Sequence, residues 1–261
     1  MTLEIVAATT ALIAATEEWL DAEETAYKAG LQAAEESCWL IDPPLKGFRC
    51  NWDMVKRNWQ TGRGAVHILL SNGNSIGFVW DRDILEVRPN ERGKGYGRLL
   101  ADFMVKRAFD EGRSMVKIEI APESAIPFWQ SMGFTLVNGR QGGGGGCYAY
   151  RRLERKFPLG LGPQLPCSIE FFGEEEHFGG KIPFYRFVGL GELLPDNYVQ
   201  LPERAICFSP EEVQGDPFAR IAVRGKEIFY DKLKRVEGAQ FGIQCDGGDT
   251  YYIERLHLPN V

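Results

Sequence analysis

The chain has 261 residues, 44% of them hydrophobic and 25% charged, with a formal net charge of −6. That length and hydrophobic share suit one large globular domain or two small ones and exclude a disordered chain. The negative balance argues against a nucleic-acid surface, because a polyanion is held by clustered Lys and Arg.

Leu3 to Ala7 reads as a first strand, and Thr9 or Thr10 can cap the helix that follows. Ala11, Leu12, Ala15, Trp19 and Leu20 fall at helical spacing. A second helical run over 22–38 sets Tyr27, Leu31, Ala34 and Trp39 near one face. The other faces carry Glu17, Glu18, Asp21, Glu23, Glu24, Glu35 and Glu36, the pattern of a solvated surface. Asp42-Pro43-Pro44 breaks the helix, and residues 52–59 add a short helical turn. Strands over 65–70 and 76–80 flank Asn72-Gly73, the strongest short hairpin signal in the chain. A tight turn at 81–83 then leads into a short apolar strand, Ile84 to Val87.

Pro89 cannot continue a central ladder, and Gly93, Gly95 and Gly97 alternate before a helix over 98–111. Leu99, Leu100, Phe103, Met104 and Ala108 form that helix's apolar stripe, and Gly112 stands where a C-terminal cap belongs. With no Cβ on alternate residues the turn can point successive N–H groups into one concavity, and the helix start adds roughly half a positive charge. Such a concavity suits an anion such as a diphosphate. Neither the Rossmann nor the P-loop template fits, because Tyr96 and Gly97 follow Gly95.

A strand over 115–120, Pro122, a short helix over 124–132, a strand over 135–137 and another over 147–153 come next. Glycines 142–146 read as a mobile hairpin tip, or in a functional reading as a flap over an acceptor. Residues 155–166 read as a linker, and strand-like runs at 168–172, 184–188, 205–208, 219–223, 227–233, 241–244 and 251–256 form a small barrel or sandwich. Six cysteines without C-x-x-C spacing, and His67, His177 and His257 far apart, predict no zinc site. With no basic region before the first apolar stretch and no run of bilayer length, a cytoplasmic protein with free thiols is expected, with no membrane partner.

Arg92, Gly95 and Gly97 in the order R-x-x-G-x-G, after V-x-P at Val87 and Pro89, resemble motif A of the GNAT superfamily of N-acetyltransferases. A-I-P-F-W-Q-S-M-G-F over 125–134 resembles motif B of the same family. Together, in that order, they make residues 3–153 similar to a GNAT domain. The resemblance implies an α/β (α+β) fold, with a mixed, mainly antiparallel sheet flanked by helices over 1–154. A smaller mostly β domain of unknown role, residues 167–261, follows the linker.

The resemblance further implies acetyl-CoA as co-substrate, its diphosphate on the amides of Arg92, Gly93, Lys94, Gly95, Tyr96, Gly97 and Arg98. The pantetheine arm is expected beside Leu85, Glu86 and Val87, with Phe128 also on the cofactor side. The first helices are implied to form one wall of the acceptor site.

An alkylamine has a pKa near ~10, so it must lose a proton before it attacks a thioester. Strand alternation sets Asp83, Leu85 and Val87 on one face and Ile84 and Glu86 on the other, while Lys117 and Glu119 share a face of the later strand. Where family members carry a base, the resemblance points first to Glu119, then to Asp83, with Glu86 behind both. It also implies an unpaired main-chain N–H near Val87 as donor to the tetrahedral oxygen. Two positions depart from the family pattern: Trp129 replaces a tyrosine acid and Pro122 replaces an asparagine that contacts pantetheine.

Cys147 is a conceivable acyl carrier, but a plain buried thiol is the favoured reading. The reaction expected is direct acetyl transfer in a ternary complex to a primary amine, either a small cationic molecule or a protein lysine or N-terminus. An alternative is a catalytically weak acetyl-CoA-binding regulatory module whose β domain binds a protein.

Overall fold

The computed structural model describes residues 2–42, 47–142, 145–173, 182–209, 216–234, 236–247 and 250–258. Expectations placed on Pro43, Pro44, Gly143, Gly144 and His177 lie outside these. The chain divides into two compact units, Met1–Ala108 and Phe109–Val261.

In the first unit β1 (Leu3–Ala7), β2 (Val66–Ser71), β3 (Asn74–Trp80) and β4 (Ile84–Val87) form one antiparallel sheet in the order β1-β2-β3-β4. Asn72 (φ 50°) and Gly73 (φ 82°) make the β2–β3 turn, both left-handed, which fits the twist of the strands they join. β4 runs close against β3 because Gly77 faces Val87 in the ladder. A Cβ on Gly77 would stand 2.8 Å from the Glu86 carbonyl oxygen.

Residues expected as two helical runs form one 27-residue helix, α1 (Thr10–Glu36), because nothing near Asp21 interrupts the backbone ladder. Thr9 caps it, its hydroxyl accepting the Leu12 amide. The buried stripe differs from the expected one: Ile13, Thr16, Trp19 and Leu20 are buried, whereas Ala11 and Ala15 face solvent. Thr16 belongs there because its hydroxyl shares a hydrogen bond of 3.0 Å with that of Ser75 on β3. α2 (Arg49–Gln60) is longer than the turn expected at 52–59, and its Trp52 meets Phe78 edge-on at 5.0 Å. α3 spans Tyr96–Asp110, with Gly112 (φ 82°) just beyond its end.

The second unit opens with β5 (Met115–Ile120), the short helix α4 (Ile126–Ser131), β6 (Thr135–Gln141) and β7 (Cys147–Arg152), paired antiparallel in the order β5-β7-β6. The remaining strands are β8 (Gln164–Phe172), β9 (Tyr185–Leu193), β10 (Tyr198–Cys207), β11 (Phe218–Val223), β12 (Lys226–Lys232), β13 (Ile243–Cys245) and β14 (Tyr251–His257). The five-residue helix α5 (Val236–Gln240) lies between β12 and β13. These strands form a single seven-stranded antiparallel sheet, ordered β12-β11-β8-β9-β10-β14-β13, where a barrel or sandwich was expected. The fold is therefore mixed α/β with antiparallel sheets, followed by a β-rich C-terminal region.

Buried polar side chains tie that β-rich region to the start of β5. The Asp246 carboxylate accepts the Ser114 amide and hydroxyl, both at 2.6 Å, and pairs with Arg113 at 3.2 Å. Arg204 pairs with Glu254 and donates to the Gly112 and Arg113 carbonyls at 3.0 and 2.7 Å. Met115, Tyr148, Ile206 and Phe208 fill the apolar space between the two sheets of this unit.

Candidate functional site

β4 ends at buried Val87, and Pro89–Glu91 makes one 3-10 turn before the glycines. Gly93 (φ 76°) and Gly95 (φ 86°) adopt the left-handed region, and a Cβ on either would meet nothing within 4 Å. Backbone conformation, not crowding, calls for glycine there, and the space before the turn is open. Of the expected diphosphate donors, the Arg92 amide is spent on the Pro89 carbonyl (3.2 Å) and that of Arg98 on the Gly95 carbonyl (3.1 Å). The amides of Gly93, Lys94, Gly95 and Gly97 have no main-chain acceptor among the described residues. They stand at the N-terminus of α3, where unpaired donors and the helix dipole favour an anion.

The arginine of the turn is committed to holding it. Arg92 Nε donates to the Val87 carbonyl at 2.9 Å and Nη2 to Glu86 Oε1 at 2.7 Å. Glu86 Oε1 also accepts the Val87 amide at 3.0 Å, so the N–H expected to be unpaired is covered by the neighbouring carboxylate. Tyr96 is buried at the start of α3, and Lys94 pairs with Glu91 at 2.9 Å.

Across from Glu86 stands Glu23 of α1. Both of its carboxylate oxygens are closed from water and have no hydrogen-bond partner among the described residues. Burial, followed by the charge of Glu86, raises its pKa to about 7, while Arg92 and Arg88 act in the opposite direction. A Cβ on Gly47 would stand 3.0 Å from Glu23 Oε2, so the carboxylate fills the space beside that glycine. Glu23 thus departs from the solvated face expected of it.

Its acidic neighbours on α1 serve differently. Glu17 pairs with Lys56 of α2 at 2.5 Å, and Asp21 pairs with Arg49. A cleft of about 420 Å³ lies alongside, lined among others by Asp21, Glu24, Lys28, Arg49 and Asp53.

The carboxylates singled out from sequence sit elsewhere. Asp83 is exposed in the turn before β4 rather than on the strand, so the alternation that put it on the Val87 face does not reach it. Glu119, opposite Tyr148 on β5, accepts the Gly146 amide at 2.7 Å. A Cβ on Gly142 would collide with its Oε2. Two glycines of the run therefore have a packing reason: the Glu119 carboxylate occupies the space over them. Phe128 on α4 meets Trp129 at 5.1 Å, and Trp129 meets Phe134 at 5.1 Å. Leu85 pairs with Val79 in the β3–β4 ladder.

Residues 14–134 match the model of the Acetyltransferase (GNAT) family. The matched stretch is a GNAT acetyltransferase domain. A comparison with curated proteins finds no match. Among solved structures, the chain is similar to the PaiA N-acetyltransferase of Thermoplasma acidophilum in complex with coenzyme A (14% identity, TM-score 0.42, covering 58% of this chain and 99% of that one). It is similar to a GNAT-family acetyltransferase of Staphylococcus aureus Mu50 (14%, 0.41, 58% and 99%). A third is YncA of Salmonella typhimurium, solved with its cofactor acetyl-CoA (18%, 0.40, 62% and 99%).

Within the GNAT domain, reading the sequence for strand faces missed Glu23, although a signal for it existed. The stripe Ile13, Thr16, Trp19, Leu20 continues at i+3 and i+4 to position 23, on the face that α1 buries. A carboxylate on the apolar face of a helix marks a site that needs a partner. No helix among the described residues is long and apolar enough to cross a membrane.

Proposed function

We propose that the protein transfers the acetyl group of acetyl-CoA to a primary amine by direct attack in a ternary complex. The observation that carries this reading is the open glycine turn, with the amides of Gly93, Lys94, Gly95 and Gly97 unspent at the start of α3. A diphosphate supplies the acceptors those donors lack, and Gly93 and Gly95 hold the turn in a backbone that few other residues adopt. Tyr96 and Arg98 flank the donors, and Arg92 holds the turn to β4 through Val87 and Glu86. Leu85, Glu86 and Val87 are the strand along which the pantetheine arm extends, and Phe128 is a further cofactor contact. On this reading residues 1–154 are the acetyl-CoA-binding domain, 155–166 a linker and 167–261 a β-rich domain. Six free cysteines support a reducing, cytoplasmic location.

The amine loses a proton to a carboxylate, and its lone pair attacks the thioester carbon. Glu119 on β5 and Asp83, in the turn that leads into β4, are the candidates that the family resemblance supplies. The Val87 amide can serve the tetrahedral oxygen once Glu86 releases it, and one such donor is worth roughly 3 kcal/mol of barrier. Trp129 supplies no acid at neutral pH, so the thiolate leaves as such or takes a proton from water.

Titration calorimetry with coenzyme A and acetyl-CoA tests the reading, together with free-thiol release over a panel of amines. Saturable binding and amine-dependent release are expected. No heat on titration, or binding without release on any amine, overturns it.

A further inference from the structure

Resting on the transferase reading above, we propose that Glu23 of α1 is the group that takes the proton from the acceptor, and that the acceptor is a cationic primary amine held at this carboxylate. The two Glu23 oxygens are shut away from water and accept nothing among the described residues. A buried carboxylate in that state lacks a donor, and an ammonium brings up to three. Neither Glu119, which accepts the Gly146 amide, nor Asp83, exposed in its turn, combines burial with unspent oxygens.

The position also suits the chemistry. Glu23 is electrostatically coupled to Glu86, and Glu86 Oε1 covers the Val87 amide, beside which the transferase reading puts the thioester. The charged groups facing Glu23 are Glu86 on β4, Arg88 beyond it and Arg92 of the glycine turn. Gly47 approaches it with main chain alone. An ammonium drawn between two carboxylates pulls Glu86 towards itself and away from the Val87 N–H, freeing that donor for the tetrahedral oxygen. Burial and Glu86 bring the Glu23 pKa to about 7, the range in which a carboxylate both accepts a proton and gives it up again after turnover.

R–NH3⁺ gives one proton to Glu23, and the freed lone pair forms the C–N bond as the carbonyl π pair moves to oxygen. That pair returns as the C–S bond breaks and its electrons leave on the CoA thiolate. The second N–H proton goes to the thiolate or to water, and Glu23 returns its proton to solvent. The products are R–NH–CO–CH3, CoASH and one proton.

The test measures acetyl-CoA affinity, and thiol release with n-butylamine, spermidine and a lysine peptide, across pH for wild type, E23Q, E119Q and D83N. The wild type should transfer to at least one of these amines, with kcat/KM rising through a limb near pH 7. E23Q should bind acetyl-CoA as wild type does, lose roughly 100-fold or more in kcat, the usual contribution of general base catalysis, and lose that limb. The limb should persist in E119Q and D83N. A second variant, Gly47→Ala, crowds Oε2 and should raise KM for the amine without shifting the limb.

Retention of the limb in E23Q overturns the proposal, as does a wild type that binds acetyl-CoA and transfers to none of these amines. Failure to bind acetyl-CoA sinks the transferase reading itself, a distinct result. A thermal melt of E23Q at pH 8 no lower than that of wild type shows that the variant is folded.

Discussion

Two regions of the molecule bury charge and treat it in opposite ways. In the second unit Arg204 is only 2% exposed, yet it is matched by Glu254, by the Gly112 and Arg113 carbonyls and by the Tyr252 ring at 4.1 Å. Asp246, 5% exposed, is likewise spent on Ser114 and Arg113. In the first unit Glu23 has no hydrogen-bond partner among the described residues, and four amides of the glycine turn have no main-chain acceptor. A buried ionic group whose partners are all in place fixes one arrangement of chain, whereas one left without partners raises the free energy until a ligand supplies them. On the proposed reading, the contrast separates the part of the protein that holds shape from the part that binds.

The largest loss is expected from Arg204→Ala. It leaves Glu254 and two carbonyls without their donor and should destabilise the protein by about 3–5 kcal/mol, read from the midpoint of urea unfolding. A change under ~1 kcal/mol would mean that water replaces the arginine and that the network is not structural.

Gly95→Val comes next. Forcing a β-branched residue to φ 86° costs about 1–2 kcal/mol, and if the turn shifts to relieve it, coenzyme A affinity falls roughly tenfold by calorimetry. Unchanged affinity would place the diphosphate elsewhere.

Glu23 sharpens the contrast through pH. Its folded pKa, raised from 4.5 to about 7, means that the folded state holds the proton more tightly than the unfolded state does. The resulting stability is fully present below about pH 4.5 and lost as pH rises through about 7. In E23Q the melting temperature should therefore lose this decline between those pH values; a decline of the same size would mean that other groups cause it. At the small end is Lys28→Ala. Its partner is Glu24 at 3.3 Å, on an exposed flank of α1, and its removal should change stability by no more than ~0.5 kcal/mol.

Much of the first unit was legible in the sequence because its signals are local. The Asn72-Gly73 turn, the strand at Ile84–Val87 and the glycines ahead of α3 each follow from the φ preferences of a few adjacent residues. The join of two helical runs into α1 is not visible in their apolar stripes, although the backbone ladder simply continues. Asp83 was placed by extending strand alternation one residue past the end of the strand.

By itself, then, the sequence determined the strand–turn–helix, the hairpins, and the glycine positions, all set within a few residues by steric preference. Only the tertiary structure decided which charges are spent. Arg204 meets a carbonyl 92 residues away in sequence, and Glu23 meets the field of Glu86 and the main chain of Gly47. Likewise the neighbours of β8 in its sheet are β9 and the later β11, an order that strand patterns do not contain. The physical reason is that burial and charge coupling depend on distance in space, and a proton's affinity for a carboxylate is fixed by what the fold brings beside it.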